Sequence, residues 1–113
     1  MKYLMLICVD ESRKPTPEEA ERHRTGSRDW ADEMDSRGVR LQGNALRPVR
    51  EGRTVRVRNG EILVADGPFA ETKEQIAGFD ILECTDIAEA VGVASKHPMA
   101  EYGSVEVRQF YEP

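Results

Sequence analysis

The order of the apolar segments constrains the fold of this chain more than any other feature of its sequence. Segment 2–9 is apolar on both alternating sets of positions, which is typical of a central strand. A long amphipathic segment follows it, and residues 39–46 then alternate as a half-buried strand does. The strand–helix–strand pattern returns over residues 77–111. Two such units in 113 residues predict a single α+β domain with a ferredoxin-like split βαβ fold, in which two helices cover one face of an antiparallel sheet.

Capping signals mark the limits of the two predicted helices. Thr16 is the expected N-cap of the first helix, Pro17 suits its first position, and Glu19 completes a capping box. Gly38 is the expected C-terminal stop. The second helix is predicted to begin after Asp86, which can accept a hydrogen bond from an amide of the first turn. The helices are therefore defined by local chemistry as well as by their apolar stripes.

A β-hairpin is predicted between the two strand–helix–strand units. The dipeptide Asn59-Gly60 joins two alternating segments and favours a two-residue type I′ turn. The hairpin is rich in arginine and is followed by an acidic stretch, which suits self-association or the capture of a small anion as well as two solvated faces. The turn sets a register that pairs Arg58 with Glu61, Val57 with Ile62, and Val55 with Val64.

Composition excludes several classes of protein. The net charge of −5 argues against general nucleic-acid binding, which needs a basic surface. The longest apolar run, Tyr3 to Val9, is far shorter than the roughly 20 residues that span a bilayer, and it does not resemble a signal peptide. We therefore expect a cytoplasmic protein without a membrane segment. Cys8 and Cys84 lie in strand-like contexts and are expected to be buried free thiols.

Motifs for metals and common cofactors are not present in the sequence. It contains no P-loop, dinucleotide-binding glycine pattern, nucleophile elbow or His-Glu-x-x-His motif. Its two histidines are too few to predict a zinc site, and neither cysteine has ligand spacing to them. The expectation is therefore a protein without a metal or an organic cofactor.

The predicted sheet has helices on one face only, so its other face needs a cover. The first strand is apolar on both sides, and the hairpin adds further apolar side chains. Burying four such side chains contributes about 6 to 12 kcal/mol before the cost of association. A homodimer with its two sheets face to face is the expected solution.

Residues 66–74, with the sequence DGPFAETKE, carry a resemblance to a known family. Together with the opening MKYLMLI and the closing GSVEVR, this string closely resembles the YCII-related family, specifically its DGPF-domain branch. The resemblance implies a dimeric α+β barrel built from ferredoxin-like protomers, and a biochemical function that is largely unassigned. Some DGPF members are encoded beside alternative sigma factors, which implies a regulatory connection.

The resemblance also implies a pair of active-site residues, which this chain does not match. In the YciI-like branch, a first-helix histidine and an aspartate before a late proline form the proposed dyad. The late position corresponds to His97-Pro98 here, and the first-helix position falls near Gly26 or Ser27. His23 lies one turn earlier on the same inward stripe, so the chain offers one histidine on each helix.

The loop and the hairpin supply further candidates, each with a structural alternative. Asp66 is predicted either to accept turn amides or to orient a catalytic histidine. Lys73 and Arg58 are predicted either to hold a ligand anion or to form solvated ion pairs, with Glu71 beside Lys73 as part of the same site. Phe69 is expected to anchor the loop on the core as an apolar site wall.

The histidines also have two interpretations each. His23 is either a hydrogen-bonded core residue or a catalyst, and His97 is either a capping residue favoured as a cation by the helix dipole or a proton-transfer group. The first functional hypothesis is a small-metabolite-binding protein that performs cofactor-free acid–base chemistry on a polar or anionic substrate, in a pocket shared by the 66–73 loop and a histidine. The second is a non-catalytic accessory protein that contacts a transcription regulator such as a sigma factor, with a closed core and an exposed arginine-rich hairpin.

Overall fold

The computed structural model describes residues 1–112, which form six strands and three helices. A short 3-10 turn at Val49–Glu51 connects the second and third strands. None of the helices in this range is long and apolar enough to cross a bilayer. In chain order the elements are β1 (Lys2–Val9), α1 (Pro17–Ser36), β2 (Arg40–Ala45), β3 (Arg53–Arg58), β4 (Glu61–Asp66), β5 (Gln75–Glu83), α2 (Ile87–Ser95), α3 (Met99–Tyr102) and β6 (Ser104–Gln109).

The main sheet has the strand order of a ferredoxin-like fold. Its four strands lie in the order β2-β5-β1-β6, and all neighbours are antiparallel. Strands β3 and β4 form a separate two-stranded hairpin, inserted between β2 and β5. The predicted α+β class and the split βαβ order are confirmed.

Local signals for the helix ends and the hairpin are also confirmed. The Thr16 hydroxyl accepts a hydrogen bond from the Glu19 amide at 3.1 Å, and the Glu19 carboxylate accepts one from the Thr16 amide at 2.9 Å. The chain leaves α1 through Gly38, whose φ of 69° favours glycine. In the hairpin, Asn59 and Gly60 both have positive φ, and the strands pair in the predicted register.

The core lies between the helices and one face of the main sheet. Strands β1 and β5 contribute residues at alternate positions, so that Tyr3 pairs with Leu82 on the helix-facing side. Trp30 of α1 donates a hydrogen bond from Nε1 to the Val93 carbonyl of α2 at 3.0 Å, which ties the two helices together. Both cysteines are free thiols, as predicted, but only Cys84 is buried, whereas Cys8 is half-buried. The buried apolar residues are Tyr3, Met5, Trp30, Met34, Val39, Leu82, Cys84, Ala90, Val93 and Ala94.

Strand β2 departs from its predicted alternation. A register shift between Arg40 and Gln42 inserts a bulge, so Leu41 is 50% exposed instead of facing the core. The bulge places Arg40 opposite Leu82, on the helix-facing side of the sheet. A charged side chain therefore enters the layer between α1 and the sheet.

Gly26 in the middle of α1 is explained by a close approach. A methyl group at this position would lie 3.2 Å from Cγ of Pro98, which precedes the short helix α3. The sequence pattern did not predict α3. Because Pro98 contacts α1 at Gly26, the His97-Pro98 segment packs against that helix.

The second face of the sheet and the hairpin are not covered by other parts of residues 1–112. Leu4 and Leu6 of β1 pair with Ile81 and Phe79 of β5 on this face. The molecule is only 18 Å thick, which corresponds to one helix layer on one sheet. The apolar side chains on one face of the hairpin are between 57% and 69% exposed; these are Val55, Val57, Ile62 and Val64.

Candidate functional site

A cavity of about 410 Å³ lies between α1 and the helix-facing side of the main sheet, and we call it the inner cavity. Gly78 and Asp80 of β5 contribute to its floor, and Trp30 of α1 contributes to its wall. Both histidines border it. The inner cavity is thus an apolar space with a few polar groups, the usual composition of a small-molecule site.

His97 is buried and held in one orientation. The residue follows the C-cap of α2 and is 5% exposed. Its Nδ1 accepts a hydrogen bond from the Met99 amide at 3.1 Å, and its ring meets Trp30 edge-on with centroids 4.8 Å apart. Because Nδ1 accepts, the proton of the neutral ring lies on Nε2.

Burial also determines the charge of His97. Desolvation lowers its pKa from 6.5 to about 4, so the ring is neutral at physiological pH. The predicted cation at the helix C-terminus is therefore wrong, because removal from water outweighs the helix dipole. Nε2 of His97 has no hydrogen-bond partner within residues 1–112. In that range every side-chain nitrogen and oxygen that is fully buried does have a partner, so Nε2 is not fully buried. Nε2 is therefore partly accessible, and because His97 borders both the inner cavity and a more open space between α1 and the α2–α3 segment, its N–H can donate to a ligand in one of them.

His23 is the second histidine at the cavity. It lies on α1, and its ring packs edge-on against Tyr102 with centroids 4.4 Å apart. The Arg13 guanidinium lies 4.0 Å from the centroid of the same Tyr102 ring and donates to the Tyr102 carbonyl at 2.9 Å. His23 and His97 also border a second, more open space of about 880 Å³ between α1 and the α2–α3 segment. The predicted pair of inward histidines therefore does meet at one cavity.

Asp80 is a functional candidate that the sequence analysis missed. Its Oδ1 accepts a hydrogen bond from Nε of Arg40 at 2.7 Å, and Nη1 of Arg40 donates to Asp35 at 3.0 Å. Burial raises the pKa of Asp80, and the Arg40 guanidinium opposes that shift. A methyl group on Gly43 would lie 1.9 Å from Oδ1, so only glycine leaves room for this carboxylate. An acid within an apolar strand was the available signal, but its partner strand was unknown.

The predicted loop residues lie in a different place. Asp66, Glu71 and Lys73 line a separate cleft of about 550 Å³. The carboxylate of Asp66 pairs with Arg53 across the hairpin at 3.1 Å and is 84% exposed, so it orients neither histidine. The chain segment 10–12 lies between the two spaces, because Asp10 and Glu11 border both. The single pocket expected from the sequence is thus divided by the connection from β1 to α1.

The remaining two predicted site residues do not border the inner cavity. Arg58 lies at the hairpin turn, where its Nη1 donates to the carbonyl of Val57 at 3.0 Å. Phe69 is 75% exposed, so the prediction that it anchors the loop on the core is wrong. Its backbone carbonyl instead accepts a hydrogen bond from Arg56 at 3.3 Å. Among residues 1–112, no cluster of three or more histidine, cysteine or acidic side chains has the arrangement of a metal site.

Comparison with known proteins places the chain in a family. An uncharacterised protein of Rhizobium meliloti strain 1021 is 43% identical over 72 residues, which cover 60% of this chain and 58% of that protein. The 5-chloro-2-hydroxyhydroquinone dehydrochlorinase of Burkholderia phenoliruptrix AC1100, solved in complex with 2,5-dihydroxybenzoquinone, is 14% identical with a TM-score of 0.48. That alignment covers 100% of this chain and 96% of the dehydrochlorinase chain. A family model described as the YCII-related domain matches residues 1–112, so the chain belongs to the YCII-related family.

Proposed function

We propose that this protein binds a small organic molecule in the inner cavity and polarises it through His97. The observation that carries the proposal is the buried, neutral imidazole whose Nδ1 is occupied by the Met99 amide. Its Nε2–H is a fixed donor, and it needs no reorganisation when a ligand oxygen approaches. Such preorganised donors stabilise negative charge that develops on a reacting oxygen. The proposed chemistry is proton transfer or polarisation by side chains at this cavity.

The experiment uses Trp30, which is the single tryptophan of the chain and borders the inner cavity. A library of small uncharged aromatic molecules is titrated while Trp30 fluorescence is recorded. Occupation of the inner cavity should change the emission, because the ligand replaces water beside the indole. Ligands that bind by calorimetry without altering Trp30 emission would argue for another site.

Two substitutions then test His97 itself. His97→Asn keeps an oxygen to accept from the Met99 amide but removes the Nε2–H donor, whereas His97→Gln keeps a donor near the Nε2 position. A lost hydrogen bond corresponds to an affinity loss of about three- to ten-fold in His97→Asn. His97→Gln should retain more of the affinity. Equal affinity in all three proteins would remove His97 from the proposed site.

The accessory-protein hypothesis is less well supported. It predicted a closed core, and the inner cavity is open to a small molecule. The hypothesis also predicted an exposed arginine-rich hairpin, and the hairpin is exposed in the structure. We propose a second copy of this chain as the occupant of that surface. The apolar hairpin face is exposed, and the main sheet has no helix over its second face within residues 1–112. Pairing two copies through these surfaces would remove them from water.

A further inference from the structure

We propose that Asp80 selects the ligand of the inner cavity by accepting a hydrogen bond from an N–H or O–H group of an uncharged molecule. The inference rests on the proposed function, because it takes the inner cavity as the ligand site. It adds the chemical class of the ligand, and it differs from the anionic metabolite expected from the sequence.

One oxygen of the Asp80 carboxylate receives no hydrogen bond from residues 1–112. The side chain is 7% exposed, and Oδ1 is engaged by Nε of Arg40 at 2.7 Å. Oδ2 has no hydrogen-bond partner within residues 1–112. Every fully buried side-chain oxygen in that range has one, so Oδ2 is not fully buried. Oδ2 must therefore touch open space. Asp80 borders the inner cavity, so Oδ2 is available to a molecule bound there.

The partly satisfied carboxylate of Asp80 carries a free-energy cost. Burying a carboxylate is expensive unless its lone pairs are matched by donors, and Arg40 matches only one of the two oxygens. The carboxylate of Asp80 also requires glycine at position 43, because a Cβ atom there would collide with it. A ligand that donates to Oδ2 would complete the hydrogen bonding of the group.

The charges at the inner cavity disfavour an anion as the ligand. Two cationic side chains border the inner cavity. Arg40 is paired with two carboxylates, whereas Arg13 keeps its charge, because the Tyr102 carbonyl and ring that it contacts are neutral. Asp10 and Glu11 add negative charge at the same boundary. The three carboxylates at the inner cavity outnumber its two guanidiniums, so a ligand anion beside Asp80 would meet a net negative charge.

Asp80 and His97 offer complementary hydrogen-bonding groups at the inner cavity. One buried group offers an acceptor, Oδ2 of Asp80, and the other offers a donor, Nε2–H of His97. The matching ligand has an apolar body, one donor group and one acceptor group, as in a primary amide. Such a molecule has a donor for Oδ2 of Asp80 and an acceptor for Nε2–H of His97, and its apolar body suits the wall to which Trp30 contributes.

Three probes of nearly equal size test the inference by isothermal titration calorimetry at neutral pH. Benzamide carries both a donor and an acceptor, acetophenone replaces the amide nitrogen by a methyl group, and benzoate is an anion. Benzamide should bind the intact protein at least about ten-fold more tightly than acetophenone or benzoate, the effect of a hydrogen bond to a charged group. Acetophenone or benzoate binding as tightly as benzamide would overturn the inference and leave the inner cavity as a ligand site.

A matched pair of variants assigns the effect to Asp80. In Asp80→Asn the side-chain oxygen still accepts from Arg40, so the amide N–H groups face the cavity and the acceptor is lost. The preference for benzamide over acetophenone should fall to about two-fold or less, while Asp32→Asn, an exposed change on α1, should keep it. If Asp80→Asn does not fold, the preference of the intact protein for benzamide over the other two probes decides the inference. Failure of all three probes to bind would contradict the proposed function together with this inference.

Discussion

His97 is the residue whose surroundings differ most from those that its position in the chain suggests. It follows a helix, where a cation would be stabilised, but it lies against Trp30 and away from water. Its folded-state pKa of about 4 is below the ordinary value of 6.5. A group of this kind couples folding to pH, because the unfolded chain binds a proton that the folded chain excludes.

The first prediction is therefore a loss of stability in mild acid. Since the folded pKa is depressed, the contribution of His97 is fully present above pH 6.5 and is lost as the pH falls toward about 4. Between about pH 7 and 4.5, the free energy of unfolding should fall by about 2 to 3 kcal/mol from this group. Urea denaturation at both pH values measures it.

His97→Asn is the control for this prediction, because it removes the titrating group and leaves the carboxylates of the chain unchanged. The variant should show a shallower fall over the same range, although it begins from a lower stability at neutral pH. Parallel pH dependence in the two proteins would mean that His97 is not the group responsible.

At the scale of elements, strands β2 and β5 are joined by a charged contact as well as by their backbones. The bulge in β2 turns Arg40 toward the helices, and Gly43 leaves room for Asp80 on the neighbouring strand. The contact continues to Asp35 near the end of α1, so one guanidinium connects a helix and two strands. Breaking one side of such a buried pair leaves an uncompensated charge.

The second prediction compares two glycine substitutions. Gly43→Ala should lower the free energy of unfolding by about 2 to 4 kcal/mol, because the new methyl group displaces Asp80 from Arg40. Gly92→Ala should raise it by about 0.5 to 1 kcal/mol, because Gly92 lies within α2 and no atom lies within 4 Å of the added methyl group. Urea denaturation at neutral pH measures both, and a Gly43→Ala protein as stable as the parent would contradict the proposed displacement of Asp80 from Arg40.

Sequence analysis succeeded where the governing interactions are local. The capping box of Thr16 with Glu19 and the turn at Asn59-Gly60 each depend on residues a few positions apart, so their chemistry can be read from the chain. Asp80 could not be assigned in this way. Its role depends on a bulge and a glycine in another strand, and neither is visible before the register is known.

The site was only partly predictable for the same reason. Helical periodicity places His23 on the inward face of α1, and the βαβ order brings the end of α2, where His97 lies, to the same cavity. The separation of Asp66 and Lys73 from them follows from the path of segment 10–12, which carried no periodic signal. Local patterns thus predicted the helix faces but not the partition between two neighbouring spaces.

For the whole molecule, the notable property is its flatness. The radius of gyration is 15.9 Å, compared with the roughly 13 Å of a compact domain of this length. The flat shape, 47 × 44 × 18 Å, accounts for the difference, and the hairpin bears an exposed apolar face. Large exposed apolar surfaces of this kind are typical of interfaces.

The third prediction concerns that surface. If a second copy covers it, Ile62→Lys should convert a dimer into a monomer, because a charge would enter the paired hairpin face. Ile87→Lys makes the same change at an exposed position of α2, and the dimer should persist. Analytical ultracentrifugation measures the mass of each protein, and a monomeric parent chain would reject the proposed pairing.

The chain segment 10–12 has one more consequence for how this protein can vary. The segment borders both the inner cavity and the loop cleft, and Glu11 is also tied to the 3-10 turn through the Val49 amide at 3.3 Å. A substitution there that enlarges one compartment must reshape its neighbour. Diversification of either space among related chains is therefore restrained by the common boundary, and changes in the two are expected to arise together.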